Sequence, residues 1–440
     1  MGHDRDHLTK MSSQAVPPID ELAVERLGDE MLGPLVKGLD HKATGLRLRE
    51  LGKQGWNVLR EDLPLPLLTL RLSALLHNLE KMRFYCEAHG VLLAPHGKTT
   101  MAPQLFKMQL DAGSWGMTAA TVEQLLVYRH FGVATVIYAN QLAGRANVEV
   151  VGRALRTGDW EFMSFVDSAD AVAQLVDGSQ AAGVTKPFKV FAEVGYAGGR
   201  SGIRKLEELE LVADAVKASK GRVELIGVAG FEGLMPIDRE PDKEAAIHTF
   251  IQRIGDVVDL MAERNALPDQ FLVSAGGSSA FDHVAEELTG RWRNAATVVL
   301  RSGCYITHDH RMYADSSPLR SGPDALRPAL ELWAYVHSRP ESNLALLTFG
   351  RRDAPFDYGF PVPIKFARGG SVELEPLAGC HIKAMNDQHG YMVLPDGLDL
   401  RVGDRVVLGI SHPCTAFDKW KLVYVVDDQE NVVDGVMTFF

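Results

Sequence analysis

The chain has 440 residues, 46% of them hydrophobic and 23% charged, which is typical of globular proteins and allows more than one domain. The 57 acidic and 46 basic side chains give a net charge of −11 without any run of lysine or arginine, so we expect no nucleic acid partner and no anionic membrane surface. No apolar segment reaches about 18 residues, the first residues are polar and the four cysteines form no CxxC pair, which together predict a cytoplasmic protein outside any membrane.

Residues 1–64 are predicted to form a partly helical N-terminal extension. The apolar spacing indicates helix over residues 19–49, and the polar first 17 residues are expected to be unstructured.

Residues 65–325 alternate short apolar runs with amphipathic segments of helical length. Nearly continuous apolar runs are typical of strands buried on both faces, and helices between them impose a parallel sheet. Eight runs predict an α/β fold of the (β/α)8 TIM-type barrel class, with an open doubly wound sheet as the alternative because periodicity does not show closure. The runs occupy 91–94, 115–118, 135–139, 161–166, 188–194, 224–230, 271–275 and 297–301.

Residues 326–440 change to strand-like stretches separated by turn signals such as NDQHG and PDG. This pattern predicts a C-terminal all-β domain after the barrel.

The first candidate for chemistry is Lys98, in the segment PHGKTT after the first run. Ligands of parallel barrels bind at the carboxyl ends of the strands. A partly buried lysine there is a candidate Schiff-base nucleophile, because burial lowers its pKa and frees the amine. The alternative is a solvated surface lysine.

Glycine-rich segments follow three later runs. Arg200, in EVGYAGGRSG, is either a guanidinium aimed at an anionic ligand oxygen or part of an ordinary turn. SAGGSSA and RSGCY follow the seventh and eighth runs, where barrels commonly hold phosphate groups, although such triplets are often plain turns. Their candidate residues are Ser274, Gly276, Gly277, Ser278, Gly303, Cys304 and Tyr305.

In the β domain, His412 and Cys414 stand two residues apart, so in an extended segment both side chains point to one side. Zinc accepts imidazole and thiolate ligands, and two protein ligands leave positions for water or substrate. The alternative is a buried cysteine beside an unrelated histidine. His389 in NDQHG is either an exposed turn histidine or a substrate-contacting group.

In this order, the motifs resemble those of the fold-type III pyridoxal phosphate enzymes, in particular the D-serine dehydratase and D-threonine aldolase group related to alanine racemase. The resemblance implies that Lys98 carries the cofactor, that Arg200 contacts its ring hydroxyl, and that SAGGSS and RSGCY, with Tyr305 matching a family tyrosine, bind its phosphate. DQHG resembles the family's active-site EHG segment. Phe231 in GFEG departs from a tyrosine that many relatives carry, and the N-terminal extension is longer than theirs.

The segment HPC resembles the zinc ligands of eukaryotic-type D-serine dehydratases, whereas D-threonine aldolases usually carry His-x-Asp. The resemblance therefore implies a pyridoxal phosphate- and zinc-dependent, D-serine dehydratase-like lyase that converts a β-hydroxy D-amino acid to a 2-oxo acid and ammonia. It also implies a homodimer. The alternatives are a metal-dependent D-threonine aldolase, an amino-acid racemase, a non-catalytic pyridoxal phosphate carrier and a barrel hydrolase without this cofactor.

Overall fold

The computed structural model describes residues 18–40, 43, 45–156, 160–233 and 241–440, with the side chains of 241–243 excepted. The predicted unstructured segment 1–17 lies outside these residues. None of the helices in the described part of the chain combines the length and apolarity that crossing a bilayer requires.

The N-terminal extension is less helical than the sequence predicts. Among the described residues of this extension, only α1 (Glu21–Leu27) is an α-helix, which Asp20 caps by accepting the Ala23 N–H at 3.0 Å. Short 3-10 turns at Leu48–Lys53 and Val58–Arg60 follow. The helix ends at Leu27, before Gly28, and the glycines and proline in GPLVKGLD, residues 33–40, disfavour its continuation over the rest of the predicted range.

The first strand, β1 (Leu67–Arg71), lies within the range predicted for the barrel but belongs to the C-terminal sheet. It pairs antiparallel with a strand that begins at Leu330 and parallel with one that begins at Leu422. An apolar run of five residues is compatible with a strand in either sheet. Only the pairing in the tertiary structure shows to which sheet the strand belongs.

Eight parallel strands form the barrel, in the order β2-β9-β8-β7-β6-β5-β4-β3. The Trp115 N–H donates to the Leu93 carbonyl at 2.7 Å and the Thr118 N–H donates to the Pro95 carbonyl at 2.9 Å, so β3 closes against β2. Each predicted apolar run overlaps one strand, and the predicted barrel is confirmed. The strands are β2 (Leu92–Leu93), β3 (Met117–Ala119), β4 (Thr135–Gln141), β5 (Glu161–Val166), β6 (Phe188–Val194), β7 (Val223–Gly230), β8 (Phe271–Ala275) and β9 (Ala296–Leu300).

Helices surround the barrel, and a separate apolar cluster fills its inside. Thr121 and Ser168 cap two of these helices by accepting the N–H groups of Gln124 and Ala171. The inner cluster includes Ile137, Met163, Phe165, Phe191, Ile226, Leu272 and Val299. The helices are α2 (Leu72–His89), α3 (Pro103–Asp111), α4 (Val122–His130), α5 (Arg145–Leu155), α6 (Ala169–Ala181), α7 (Leu206–Ala218), α8 (Pro241–Glu263) and α9 (Phe281–Leu288).

The predicted all-β domain is also confirmed. Its main path runs β13-β12-β16-β10-β1-β17-β18, and β11, β15 and β14 extend it from β10. A short helix, α10 (Met312–Ser316), connects the barrel to this domain, and another, α11 (Cys414–Phe417), follows β16. The strands are β10 (Leu330–Glu341), β11 (Leu344–Leu347), β12 (Val362–Ala367), β13 (Glu375–Pro376), β14 (His381–Met385), β15 (Gly390–Val393), β16 (Arg405–Gly409), β17 (Leu422–Val426) and β18 (Val432–Met437).

A buried histidine, His308, and a half-buried one, His310, lie where the barrel joins the β domain. The His310 N–H donates to the Ile410 carbonyl at 2.9 Å, and a Cβ on Gly409 would lie 2.3 Å from the His310 ring, so only glycine fits there. The Nδ1 atoms of His308 and His310 have no hydrogen-bond partner among the described residues. Burial lowers the pKa of each histidine to about 4, and both rings are therefore neutral at pH 7.

We expect His308 and His310 to make the junction between the barrel and the β domain sensitive to acid. In the unfolded chain these histidines bind protons near pH 6.5, whereas in the folded protein they do so only near pH 4. The stability that they contribute is therefore present above pH 6.5 and is lost as the pH falls from 6.5 to about 4. Asp309 between them acts in the opposite direction, since burial raises its pKa to about 7. We therefore expect His310→Gln to flatten the pH dependence of the urea midpoint between pH 6.5 and 4.5. The exposed His381→Gln serves as control, and equal slopes in all three proteins would contradict the assignment.

Candidate functional site

Lys98 lies at the carboxyl end of the first barrel strand, as predicted. It occupies a 3-10 turn, Gly97–Thr99, directly after β2, with its own side chain exposed and those of its neighbours buried. A Cβ on Gly97 would lie 2.1 Å from the Tyr128 hydroxyl, so the turn needs glycine at this position. The buried neighbours fix the turn, and the Lys98 amine extends from it at the barrel mouth.

His96 contributes a polar atom beside this lysine that the sequence did not single out. Its Nδ1 is buried and has no hydrogen-bond partner among the described residues. Burial, together with the positive charges of Lys98, Arg301 and Arg200, lowers the pKa of His96 well below its ordinary value. The imidazole is therefore neutral, and its unpaired nitrogen is a site for a ligand's polar group.

The loop after β8 directs two backbone N–H groups at one anionic group. Gly276 and Gly277 donate to the two carboxylate oxygens of Glu232 at 3.2 and 2.5 Å. Gly276 has a φ of 86°, which favours glycine, and Glu232 is completely buried. The loop can thus hold an acidic group, the property that its predicted phosphate-binding role requires.

The other residues predicted for phosphate binding make different contacts. The Ser274 hydroxyl donates to the Val299 carbonyl at 3.0 Å, and the Ser278 hydroxyl accepts the Cys304 N–H at 3.3 Å. A Cβ on Gly303 would lie 2.3 Å from the His96 carbonyl oxygen, so this glycine brings the last loop against the Lys98 turn.

Tyr305, the remaining residue of that loop, is 3% exposed. Burial raises its pKa, and hydrogen bonds with Gln109 and Ser114 act against this rise. The structure thus places its hydroxyl beside these two side chains.

A buried arginine, which sequence reasoning also missed, lies below the mouth. Arg301 follows β9 and donates to the Ser274 hydroxyl at 2.6 Å and to the Gly230 carbonyl at 2.7 Å. Burial lowers its pKa to about 10, and the buried carboxylates of Glu232 and Glu193 oppose that shift. Its position as the last residue of the eighth apolar run, at the carboxyl end of the strand, was the signal that could have identified it.

Arg200 is exposed and stacks on the residue that departs from the family pattern. Its guanidinium lies 5.0 Å from the centre of the Phe231 ring. The same ring lies 3.0 Å from the position of a Cβ on Gly277. Phe231 therefore connects the predicted arginine with the glycine loop through packing.

The tertiary structure brings the predicted metal ligand Cys414 to the turn that carries Lys98. The hydroxyl of Thr99 lies 3.2 Å from the Cys414 sulfur and 3.4 Å from the Cys304 sulfur. The two sulfurs are 3.4 Å apart. Their mutual hydrogen bond lowers the pKa of Cys304 and raises that of Cys414, so the pair shares one proton. Cys304, predicted for phosphate binding, thus lies beside a predicted metal ligand.

The segment that carries the metal pair is helical rather than extended. Pro413 has φ −62° and ψ −39°, and α11 begins at Cys414, so alternation along a strand does not explain the arrangement. His412 nevertheless lies near enough to Cys304 to help lower the pKa of that thiol.

Asp357 orients His412, and no local sequence signal connects these two residues, which are 55 positions apart. Its carboxylate lies 2.6 Å from His412 Nδ1 and accepts the Thr415 hydroxyl at 2.8 Å. Burial alone would raise the pKa of Asp357, but these hydrogen bonds outweigh it and the pKa is lowered. The arrangement leaves Nε2 of His412 for a metal ion, a common design in metalloproteins.

His389 lies in the exposed turn between β14 and β15. Its ring packs against that of His337 with the centroids 5.1 Å apart. Its predicted role at the substrate stays a prediction.

Two family models match the chain. One, described as "Alanine racemase, N-terminal domain", matches residues 70–291. The other, described as "Putative serine dehydratase domain", matches residues 329–426. Together they cover most of the barrel and most of the β domain.

Individual relatives and solved structures agree with these matches. A 3-hydroxy-D-aspartate aldolase from Paracoccus denitrificans (strain Pd 1222) is 25% identical over 355 residues, which are 80% of this chain and 85% of that relative. The structure of D-threonine aldolase from Filomicrobium marinum has a TM-score of 0.73 and 23% identity, over 87% of this chain and 96% of that one. That of D-threo-3-hydroxyaspartate dehydratase from Delftia sp. HT23 has a TM-score of 0.71 and 19% identity, over 87% and 99%. A cysteine-to-alanine mutant of this dehydratase is described as a metal-free form.

Proposed function

This chain belongs to the alanine racemase N-terminal domain family of fold-type III pyridoxal phosphate enzymes, and from that premise we propose a metal-assisted lyase that removes the β-hydroxyl group of a D-amino acid. The protein is an enzyme of the lyase class, as the sequence predicts. The proposed products are a 2-oxo acid and ammonia, with D-serine as the first substrate to test.

One contact carries the proposal. The Thr99 hydroxyl, one residue after Lys98, lies 3.2 Å from the sulfur of Cys414, 315 positions along the chain. A metal ion at this cysteine would stand beside a cofactor on the lysine, so that both could act on the same substrate in a metal-assisted elimination.

The residues at the mouth fit pyridoxal phosphate. Lys98 offers an exposed amine, the N–H groups of Gly276 and Gly277 converge on an acidic group, and His96 has a buried nitrogen without a partner among the described residues. When bound, this cofactor supplies an electron sink for the substrate carbon that bears the amine. In the proposed reaction, Lys98 Nζ takes the proton from that carbon.

The charges around the mouth support this chemistry. Arg301 is held in place by hydrogen bonds at the end of β9, and its positive charge helps keep His96 neutral. Arg200, over Phe231, is placed to hold an anionic oxygen. Glu232 would release the glycine N–H groups to a bound phosphate group, and its negative charge opposes the lowering of the Arg301 pKa.

The donor set of the second site fits zinc. His412, oriented by Asp357, and Cys414 would hold the ion, and a divalent cation supplies Lewis acidity to the departing hydroxyl oxygen. A related dehydratase, for which a metal-free cysteine mutant is described, supports the proposal of a metal-dependent reaction.

A second candidate is the aldol cleavage of the same class of substrate, which the aldolase names among the relatives favour. The deciding experiment incubates the cofactor-loaded, zinc-loaded protein with D-serine, D-threonine and 3-hydroxy-D-aspartate. We expect 2-oxo acid and ammonia in equal amounts. Glycine and an aldehyde as products would identify an aldolase instead of an eliminating enzyme. A racemised substrate without these products would exclude both activities. Light scattering of the same sample tests the predicted homodimer.

Asp357 is predicted to be a positioning residue for His412. We expect Asp357→Ala to weaken zinc binding about 10-fold to 100-fold, because the imidazole loses the partner that fixes its orientation. Activity should fall at limiting zinc and return with excess zinc. Chelator competition measures the affinity, with the exposed Asp387→Ala as control. A loss that excess zinc does not restore would contradict this role.

A further inference from the structure

Two neighbouring helices on the outside of the barrel carry a second set of metal-type ligands. Helix α8 contributes Glu244 and His248, and α9 contributes His283 and Glu287. Residues four apart lie on one face of a helix, so each helix presents one carboxylate and one imidazole.

The structure brings these side chains together between the helices. The ligand atoms of His248, His283 and Glu287 all lie within 4.8 Å of one another, and the two rings are 4.4 Å apart. His283 Nε2 lies 3.7 Å from a carboxylate oxygen of Glu244. Ligand atoms around a tetrahedral zinc ion are about 3.3 Å apart, so small side-chain rotations would complete the set.

The surroundings are those of a built site rather than of a loose surface pair. His283 is 7% exposed, and Gln252 donates to the second oxygen of Glu287 at 2.6 Å, which fixes the carboxylate. The side chains of His248 and Glu244 are 45% and 36% exposed and leave a path for an ion from solvent.

We propose that Glu244, His248, His283 and Glu287 bind a divalent transition-metal ion, separate from the pair in the β domain. Two imidazoles and two carboxylates suit zinc, whereas calcium and magnesium select oxygen ligands alone. The site connects α8 to α9, and α9 begins at Phe281, three residues after Ser278 of the glycine loop. The ion therefore stabilises the helix that follows this loop. This proposal does not depend on the reaction assigned to the barrel mouth.

The test removes the other metal site first. The full-length, cofactor-loaded His412→Ala/Cys414→Ser protein is stripped with chelator and dialysed against zinc, and its metal content is measured. We expect about one zinc ion per chain, and cobalt in its place should give tetrahedral visible bands without a thiolate charge-transfer band. Adding His248→Ala should remove the ion and the zinc-dependent rise in melting temperature, whereas Thr249→Ala on the same helix should keep both.

Two results would overturn the site. One is a zinc content near zero in the His412→Ala/Cys414→Ser protein, which would leave only the hydrogen bond between His248 Nδ1 and a carboxylate oxygen of Glu287. The other is zinc that persists after His248→Ala. Glu287→Gln is the second variant if His248→Ala does not fold, and it should give the same loss of zinc.

Discussion

Lys98→Ala is expected to lose the visible absorbance of bound pyridoxal phosphate and to lower lyase activity by at least about 1,000-fold. The variant removes both the proposed cofactor anchor and the amine that moves the proton, and each role alone accounts for a large factor. Because the Lys98 side chain is exposed, the melting temperature of the cofactor-free protein should change little.

The control for this variant is Lys107→Ala, since Lys107 lies on the outer helix α3 and pairs with Asp111. It should keep both absorbance and activity. Borohydride reduction followed by peptide mapping identifies the lysine that carries the cofactor. Cofactor found on another lysine, or full turnover by Lys98→Ala, would refute the assignment.

Removing the metal is expected to lower the elimination activity while leaving the cofactor bound. Chelated wild-type protein should lose at least about 100-fold in elimination while its cofactor absorbance remains, because the hydroxyl leaves poorly without a Lewis acid. Zinc should restore the activity of this sample. Cys414→Ser should show the same loss, with only weak recovery in excess zinc.

Cys380→Ser is the matched control, because Cys380 is another free, half-buried cysteine of the β domain. It should retain full activity and zinc. Full turnover by verified zinc-free protein would show that the metal takes no part in the reaction. Activity that fell together with the cofactor absorbance would instead indicate that zinc supports cofactor binding.

Several contacts at the mouth could not be predicted because they join distant parts of the chain. Glu232 lies in the GFEG segment, yet nothing there shows that its carboxylate accepts the N–H groups of Gly276 and Gly277. Asp357 reaches His412 across 55 positions without a motif. Periodicity and spacing report only local relations, so these partners depend on how the domains pack.

The sequence by itself determined the barrel, the following β domain and the family, because buried parallel strands appear as continuous apolar runs and the family motifs keep their order. The tertiary structure alone decided which of the candidate residues meet. It assigned β1 to the C-terminal sheet, turned Cys304 toward Cys414 and brought that cysteine to Thr99 beside Lys98. The physical reason is that a barrel gathers its strand ends at one mouth, whereas the docking of the β domain is set by packing and hydrogen bonds that no single segment encodes.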